Sequence, residues 1–285
     1  MPWRRILFGF VATFILGVSV AIFVLAHRTP DAQVRTEIYR GVYLTVEDLP
    51  ETHEARGKVM IVEVHWDTPG VRIENRPFDF DVRSDDPTGA HYKLQFADAA
   101  LWRSGAAVLM NTCLFHPGSI TSAIPGKAVR SIETMVVDGE VSHLHEHSYL
   151  LYWDAAMAAE FLLEKPPSAD SLDRATLGLG VQGVQVRNNQ PVPIALSSVD
   201  EVFARTFIGI DPEARVLYLM AFEHVSGHYM IDRAVRAGVV FGGQLDSGSS
   251  TNMLIGPDAR GVGAHSGIRN LRPLGPYMMI FADPL

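Results

Sequence analysis

The sequence predicts an α+β fold: a single domain with a mixed β-sheet core and a few flanking helices, preceded by one N-terminal transmembrane or signal helix. Three observations support this prediction. The chain of 285 residues is 47% apolar and 20% charged, a composition typical of a folded core. Short apolar or alternating runs, typical of strands, outnumber runs with helical spacing. An uncharged run from Ile6 to Ala26 precedes all of them.

The N-terminal run is long enough for a membrane-spanning helix. Its 21 residues would make a helix of roughly 31 Å. Arg4 and Arg5 precede it, and the short tail before a long acidic domain favours a domain outside the cytoplasm. The length of the run favours an uncleaved anchor, although Val24-Leu25-Ala26 is an acceptable cleavage site that would release a secreted protein. We therefore divide the chain into a signal anchor or signal peptide (1–27), a linker (28–38) and one domain (39–285).

Composition also excludes several classes of protein. The formal charge is −8 and no basic block stands out, so we expect no nucleic-acid partner. Cys113 is the only cysteine, which excludes an intrachain disulfide and a zinc site built on cysteines. His143, His145 and His147 alternate, but side chains two apart on a strand lie roughly 6–7 Å apart, a poor fit to one tetrahedral ion. We expect no metal and no cofactor.

Local patterns predict the strands and turns of the domain. Val59 to Glu74 alternates around a Thr-Pro-Gly turn and predicts two strands. Glu133 to Val141 contains an Asp-Gly pair typical of a hairpin turn. Tyr149 to Trp153 predicts a buried strand, and Phe207 to Phe222 predicts a hairpin around an Asp-Pro pair. Pro166 to Arg174 is interpreted as a loop.

One arrangement, a helix followed by a glycine and an apolar strand, occurs twice. It spans Phe96 to Phe115 and Met230 to Ser250. Each strand ends in polar residues, with Asn111 in the first unit and Asp246 in the second. Binding groups collect at strand ends in sheets flanked by helices, so we expect Asn111 and Asp246 to lie near one cleft.

The segment Leu245 to Ser250, LDSGSS, is the densest cluster of candidate functional groups. Asp246 supplies a carboxylate, and the serine hydroxyls suit a sugar or a phosphate. An ordinary tight turn is the alternative interpretation. Arg205 precedes an apolar strand and could hold a phosphate through two parallel hydrogen bonds, or it could be a surface arginine. The Gly-x-Ser-x-Gly elbow and the Walker A motif are absent from the sequence.

Residues 203–253 resemble the C-terminal part of the domain that defines the phosphodiester glycosidase family. Upstream, Met110 to Phe115 is similar to that family's Ile-Asn-Gly-Gly-Phe-Phe, and Gln182 with Gly183 matches its glutamine-glycine strand. The likeness covers roughly residues 39–256. The matching positions in its most specific part are Arg205, Thr206, Gly209, Gly227, Leu245, Asp246, Gly248, Ser249 and Ser250.

The resemblance implies hydrolysis of the bond between a sugar anomeric carbon and a phosphodiester in a phosphoglycan. It implies two catalytic residues, Asp246 as the carboxylate and Arg205 as the phosphate-binding cation. The substrate-binding residues that it implies are Asn111, Thr206, Gln182, Gly248, Ser249 and Ser250. The phosphate group of such a substrate leaves as an anion with little protonation, so the general acid of a two-carboxylate glycosidase matters less. Candidates for a second carboxylate are Asp67, Glu133 and Asp211, and the sequence does not choose among them.

The chain departs from the family pattern at several glycine positions. Residues with side chains replace glycines at Thr112, Cys113, Val184, Ser247 and Ser249. A Cβ at such a position could narrow a pocket in which the backbone approaches the ligand. The alternative prediction is therefore a catalytically inactive domain of the same fold that binds a glycan or phosphoglycan.

Overall fold

The computed structural model describes residues 34–76, 92–112, 114–116, 123–145, 149–163, 166–181, 183–193, 198–262 and 266–285. Across these ranges the chain is mostly β, and all the strand pairings are antiparallel. The predicted α+β class with a mixed sheet is therefore wrong. The described helices are short, and the strand that follows each of them pairs antiparallel with its neighbours, so no parallel βαβ unit forms within the described ranges.

The described strands are β1 (Thr36–Tyr39), β2 (Val42–Asp48), β3 (Ala55–His65), β4 (Arg72–Arg76), β5 (Tyr92–Lys93), β6 (Val108–Asn111), β7 (Phe115–His116), β8 (Ala128–Ser131), β9 (Met135–Val137), β10 (Glu140–His143), β11 (Tyr149–Asp154), β12 (Ala159–Leu162), β13 (Ala175–Val181), β14 (Val186–Arg187), β15 (Gln190–Pro191), β16 (Phe203–Asp211), β17 (Val216–Val225), β18 (Phe241–Gln244), β19 (Met253–Ile255), β20 (Gly267–Ile268) and β21 (Tyr277–Phe281). The described α-helices are α1 (Ala97–Ser104), α2 (Ala169–Arg174) and α3 (Gly227–Arg236).

The strands form four sheets. The first sheet has eight strands in the order β1-β2-β3-β17-β16-β18-β14-β15. The second has the order β10-β9-β13-β11-β12, and the third has the order β20-β19-β6-β21-β4. A small fourth sheet has the order β5-β8-β7. The strands that carry the candidate residues, β6, β16 and β18, are thus divided between the first and third sheets.

The inner faces of the three large sheets enclose one apolar core, here called the central core. Ile208 and Leu219 enter it from the first sheet, Leu151 from the second, and Met110 and Met278 from the third. These side chains are essentially inaccessible to solvent. Burial of this kind supplies most of the driving force for folding and fixes how the sheets meet.

One helix covers the outer face of each large sheet. Helix α3 packs Ile231 against a cluster that contains Phe207 of the first sheet. Helix α1 packs Leu101 into a cluster with Leu109 of the third sheet. Helix α2 places Leu172 against the outer cluster of the second sheet. Each large sheet therefore has buried apolar side chains on both of its faces.

Some of the local predictions agree with the structure and others do not. The Asp-Gly hairpin forms between β9 and β10, with Asp138 and Gly139 both at positive φ, 50° and 82°, as a type I′ turn requires. Strands β3 and β4 form where two strands were predicted, but they belong to different sheets. The predicted loop over residues 166–174 is wrong, because Ala169–Arg174 is a helix whose N-cap, Ser168, accepts a hydrogen bond from the Ser171 N–H.

The two helix-glycine-strand units form with similar local geometry. Helix α1 ends at Gly105 with φ 67°, and β6 follows. Helix α3 is followed by Gly238 with φ 97° and then by β18. Strand β6 lies inside the third sheet and β18 lies inside the first, so the two strands are not neighbours. Only their ends meet, and that meeting point is the site described below.

Among the described residues, no helix has the length and apolar character needed to cross a membrane. The predicted spanning segment, Ile6 to Ala26, lies outside the described residues.

Candidate functional site

The end of β6 meets the end of β18 through a small set of buried hydrogen bonds. The Asp246 N–H donates to the Thr112 carbonyl at 2.9 Å. The Asp246 carbonyl accepts from Asn111 Nδ2 at 2.6 Å and from Thr206 Oγ1 at 2.6 Å. The structure therefore brings Asn111, Thr206 and Asp246 together, although they lie far apart in the sequence.

Asn111 and Thr206 use their polar atoms within the protein. Asn111 Oδ1 accepts the Asn252 N–H at 2.8 Å, and Asn111 Nδ2 also lies 3.3 Å from Thr206 Oγ1. Asn111 is 2% exposed and Thr206 is 0% exposed. This geometry differs from the role that the resemblance implied, because both side chains hold the backbone of Asp246 rather than face a ligand.

The carboxyl group of Asp246 is buried and chemically perturbed. The residue is 9% exposed, and burial raises its pKa to about 6. A hydrogen bond from the Ser250 side chain, the positive charge of Arg272 and the Ser247 N–H act in the opposite direction. Asp246 is therefore mostly ionised at neutral pH and mostly neutral in mildly acidic solution.

Arg272 supplies the positive charge at this carboxylate, and the sequence analysis missed it. Its Nη1 donates to Ser249 Oγ at 3.1 Å and to Ser250 Oγ at 3.2 Å. Its guanidinium lies 5.1 Å from the centroid of the Phe115 ring. Arg272 lies in an irregular segment before β21, where no local pattern separates a functional arginine from a surface one.

The backbone turns sharply between Asp246 and the two serines that contact Arg272. Gly248–Ser250 forms one turn of 3₁₀ helix, and Gly248 adopts the left-handed conformation with φ 66°. A Cβ built on Gly248 would meet nothing within 4 Å, so space is open beside it. We call the following group the Asp246 site: Asp246, Gly248, Ser249, Ser250 and Arg272.

Arg205 lies on the other face of the first sheet. Neighbouring residues of a strand point to opposite faces, and Thr206 is turned toward the end of β6. Phe207, which shares a face with Arg205, belongs to the cluster beneath α3, whereas Ile208 belongs to the central core. Arg205 is therefore on the α3 side.

The Arg205 guanidinium is fully used by the protein. Its Nε donates to the Val225 carbonyl at 2.9 Å, and its Nη1 donates to Gln244 Oε1 at 2.6 Å. Its Nη2 donates to the carbonyls of Ser198 and Glu201 at 2.6 and 2.8 Å. The residue is 0% exposed, and burial lowers its pKa to about 10. The prediction of Arg205 as a phosphate ligand needs correction, because no part of its fork is directed to the cleft.

The glutamine predicted for substrate binding, Gln182, lies outside the described residues. A nearby glutamine has a defined place instead. Gln185 is buried, and its Oε1 accepts the Gln244 N–H at 2.5 Å. Gln185 therefore supports the strand that leads to the site.

The three candidates for a second carboxylate occupy different environments. Asp67 is exposed in the turn after β3. Asp211 caps the β16–β17 turn, because its Oδ1 accepts the N–H groups of Glu213 and Ala214 at 3.0 and 2.9 Å. Glu133 is buried, and its Oε2 lies 4.0 Å from His145 Nδ1. Of the three, Glu133 alone has the burial typical of a functional carboxylate.

The departures from the family's glycines are largely absorbed by the protein. Thr112 is fully buried and donates its hydroxyl to the Pro276 carbonyl at 3.0 Å. Ser247 Oγ accepts the Thr206 N–H at 3.2 Å and donates to the Leu245 carbonyl at 3.0 Å. Val184 packs into the central core. Their side chains therefore face protein rather than the open space of the site, and Cys113 lies outside the described residues.

Comparisons with known proteins support the fold. No known family and no curated protein matches the sequence. The structure is similar to the catalytic domain of zebrafish N-acetylglucosamine-1-phosphodiester α-N-acetylglucosaminidase, auto-inhibited by its pro-peptide. That match has a TM-score of 0.58 and 12% identity and covers 88% of this chain and 87% of the other.

Two bacterial proteins are also similar in structure. One, from Burkholderia pseudomallei, is thought to be exported; it matches with a TM-score of 0.55 and 14% identity over 78% of this chain and 73% of its own. The other, an uncharacterised protein of Synechocystis, matches with a TM-score of 0.54 and 9% identity over 85% of this chain and 62% of its own. At these identities the likeness establishes a shared fold.

Proposed function

We propose that this chain is an exported hydrolase that cleaves the glycosidic bond between a sugar and a phosphodiester in a phosphoglycan. The observation that carries the proposal is the buried carboxyl of Asp246, with a pKa of about 6, beside the Arg272 guanidinium and two serine hydroxyls. The fold shared with a zebrafish enzyme whose name specifies a sugar phosphodiester supports the same chemistry.

The reaction follows from these groups. The bond from the anomeric carbon to the phosphate oxygen breaks, and the remaining phosphate monoester leaves with the electron pair as an anion. Ionised Asp246 stabilises the positive charge that develops on the sugar, and it accepts a proton as water adds to the anomeric carbon. Arg272 neutralises the phosphate through its planar fork. Ser249, at the turn, hydrogen-bonds an oxygen of the sugar or the phosphate, whereas Ser250, which is 0% exposed, holds the Asp246 carboxylate.

This mechanism assigns the phosphate-binding role to Arg272 and leaves Arg205 outside it. Arg272 is only partly buried, so a ligand can approach it, and its charge already acts on Asp246. The side chains of Thr112, Ser247 and Val184 are engaged within the protein and do not fill the site. This weakens the alternative of a catalytically inactive binding domain, which rested on crowding by those side chains.

The test is turnover of a panel of chromogenic sugar 1-phosphodiesters by the full-length chain. Asp246→Asn is expected to lower kcat by about a thousandfold or more, and Arg272→Met is expected to lower kcat/KM by at least about a hundredfold. Asp211→Asn is a matched control, because it makes the same chemical change in a hairpin turn. If no panel member is cleaved but a phosphoglycan binds and binding needs Arg272, the protein is a binding domain instead.

The domain is expected to act outside the cytoplasm. The Burkholderia protein of similar structure, which is thought to be exported, supports this location. The N-terminal run that motivated it in the sequence, Ile6 to Ala26, remains a prediction for both the anchored and the secreted form. Fractionation of cells that express the full-length chain, with alkaline carbonate extraction of the membranes, separates an anchored protein from a secreted or cytoplasmic one.

A further inference from the structure

Hydrogen bonds hold the strand end that carries Asp246 from two sides. On the inner side, Asn111 and Thr206 hold the Asp246 carbonyl at 2.6 Å each. On the outer side, the preceding Gln244 is held at two points. Its side-chain oxygen accepts from Arg205, and its N–H donates to Gln185.

Arg205 connects Gln244 to three backbone carbonyl groups. It binds the carbonyl of Val225 at the end of β17 and the carbonyls of Ser198 and Glu201 in the turn before β16. Its guanidinium also lies 3.8 Å from the centroid of the Phe203 ring. Four hydrogen bonds to one buried fork hold the residue in one orientation.

We propose that Arg205 is a positioning residue for the Asp246 carboxylate and acts through the side chain of Gln244. The proposal rests on the function proposed above. It gives a role to the arginine of the Arg-Thr pair. Arg205 lies beside the site in the sequence, but its side chain points to the other face of the sheet. Two consecutive residues, Arg205 and Thr206, thus fix the same strand end from opposite faces of the sheet.

The chemistry of the cluster makes arginine hard to replace. A lysine carries its three donors on one nitrogen and cannot reach the separate acceptors that the guanidinium reaches with Nε, Nη1 and Nη2. The released Gln244 side chain and the strand end then gain freedom to move. A misplacement of about 1 Å in a catalytic group can lower the rate by about a hundredfold.

The experiment compares Arg205→Lys and Gln244→Met with Arg233→Lys in the full-length chain. Gln244→Met removes one acceptor and leaves the other three Arg205 hydrogen bonds. It therefore still tests the proposal if Arg205→Lys fails to fold. Arg233 is the matched control, because it is a largely buried arginine of α3 that pairs with Glu47, with 17% of its side chain exposed. On the substrates cleaved by the parent chain, both test variants are expected to lower kcat about tenfold to a hundredfold with little change in KM.

A second measurement does not depend on activity. The difference in unfolding free energy between the parent and Asp246→Asn, followed against pH, reports the titration of Asp246 in the folded chain. Among the described groups, Arg272 supplies the charge that acts on Asp246, and Ser250 and Ser247 supply its hydrogen bonds. In the Arg205→Lys and Gln244→Met backgrounds, the midpoint is expected to fall by about half a unit or more, because a looser strand end admits water to the carboxyl.

The outcomes separate the two proposals. Unchanged kcat and an unchanged Asp246 midpoint in both test variants would overturn the positioning role, even if stability falls as in Arg233→Lys. If the parent cleaves no substrate but the midpoint moves in the test variants and not in Arg233→Lys, the proposed function fails and the positioning role stands.

Discussion

Two arginine-centred regions of this protein show how differently the same side chain can be used. Arg205 is 0% exposed on strand β16, and all its hydrogen bonds go to backbone carbonyls and a glutamine. Arg272 is partly exposed in an irregular segment, and it contacts two serine hydroxyls beside a carboxylate. The first region is closed by the protein itself, whereas the second lies beside the open space at Gly248.

The difference teaches that burial and partners decide the role of an arginine, more than its position in a motif. Arg205 lies next to Thr206, which contacts the site, yet strand alternation sends its side chain the other way. Arg272 has no motif around it and reaches the site because the segment before β21 passes beside the 3₁₀ turn at Gly248–Ser250.

The largest expected effect separates the two arginines by stability. Arg205→Met should lower the free energy of unfolding by about 4 kcal/mol, since it leaves several buried carbonyls without donors. Arg272→Met should cost less, about 1 kcal/mol, because Arg272 and its partner Ser249 are only partly buried. Urea denaturation of both variants at pH 7 measures the difference. Equal losses would show that the two regions do not differ as described.

The next effect concerns the carboxylate beside Arg272. The folded pKa of Asp246 is raised, so its contribution to stability is complete below the unfolded value near 3.8 and is lost as pH rises through about 6. Asp246→Asn removes that loss and should stabilise the protein by up to about 3 kcal/mol at pH 8, with little effect at pH 4. Denaturation at the two pH values tests this. A constant difference would contradict the raised pKa.

Two glycine substitutions compare the packed and open regions directly. A Cβ on Gly242, on the Arg205 side, would lie 2.6 Å from the Phe207 ring and 2.8 Å from the Ile208 carbonyl. Gly242→Ala should therefore cost about 3 kcal/mol. Gly248→Ala meets no atom within 4 Å and should cost about 1 kcal/mol, from its positive φ alone. Thermal and urea unfolding of the pair measure the order, and a reversed order would refute it.

The smallest expected effect is the change in the pKa of Asp246 when the charge of Arg272 is removed. Arg272 lowers the pKa of Asp246, so Arg272→Met should raise that pKa above about 6. The pH at which the stabilisation by Asp246→Asn stops increasing should then move upward in the Arg272→Met background, and the stabilisation at pH 8 should become larger. The shift is opposite in sign to the one expected for Arg205→Lys. A downward shift would mean that Arg272 does not act on Asp246 through its charge.

Several parts of the fold followed from local sequence patterns. The Asp138-Gly139 turn, the strands on either side of it and the two helix-glycine-strand units all rest on residues close in sequence. The convergence of Asn111 and Asp246 agrees with the expectation from polar residues at two strand ends, although the two strands belong to different sheets. Helix α2 was missed because six residues with one capping serine resemble a loop in composition.

The sequence by itself determined that strands would dominate and that a carboxylate with small and hydroxyl-bearing neighbours would end a buried strand. These features depend on propensity and alternation over a few residues. The tertiary structure alone decided that the sheets are antiparallel, which face of β16 meets the site, and that Arg272 supplies its charge. Sheet pairing and side-chain contacts across 20 or more residues depend on how whole faces bury together, and no local pattern records that choice.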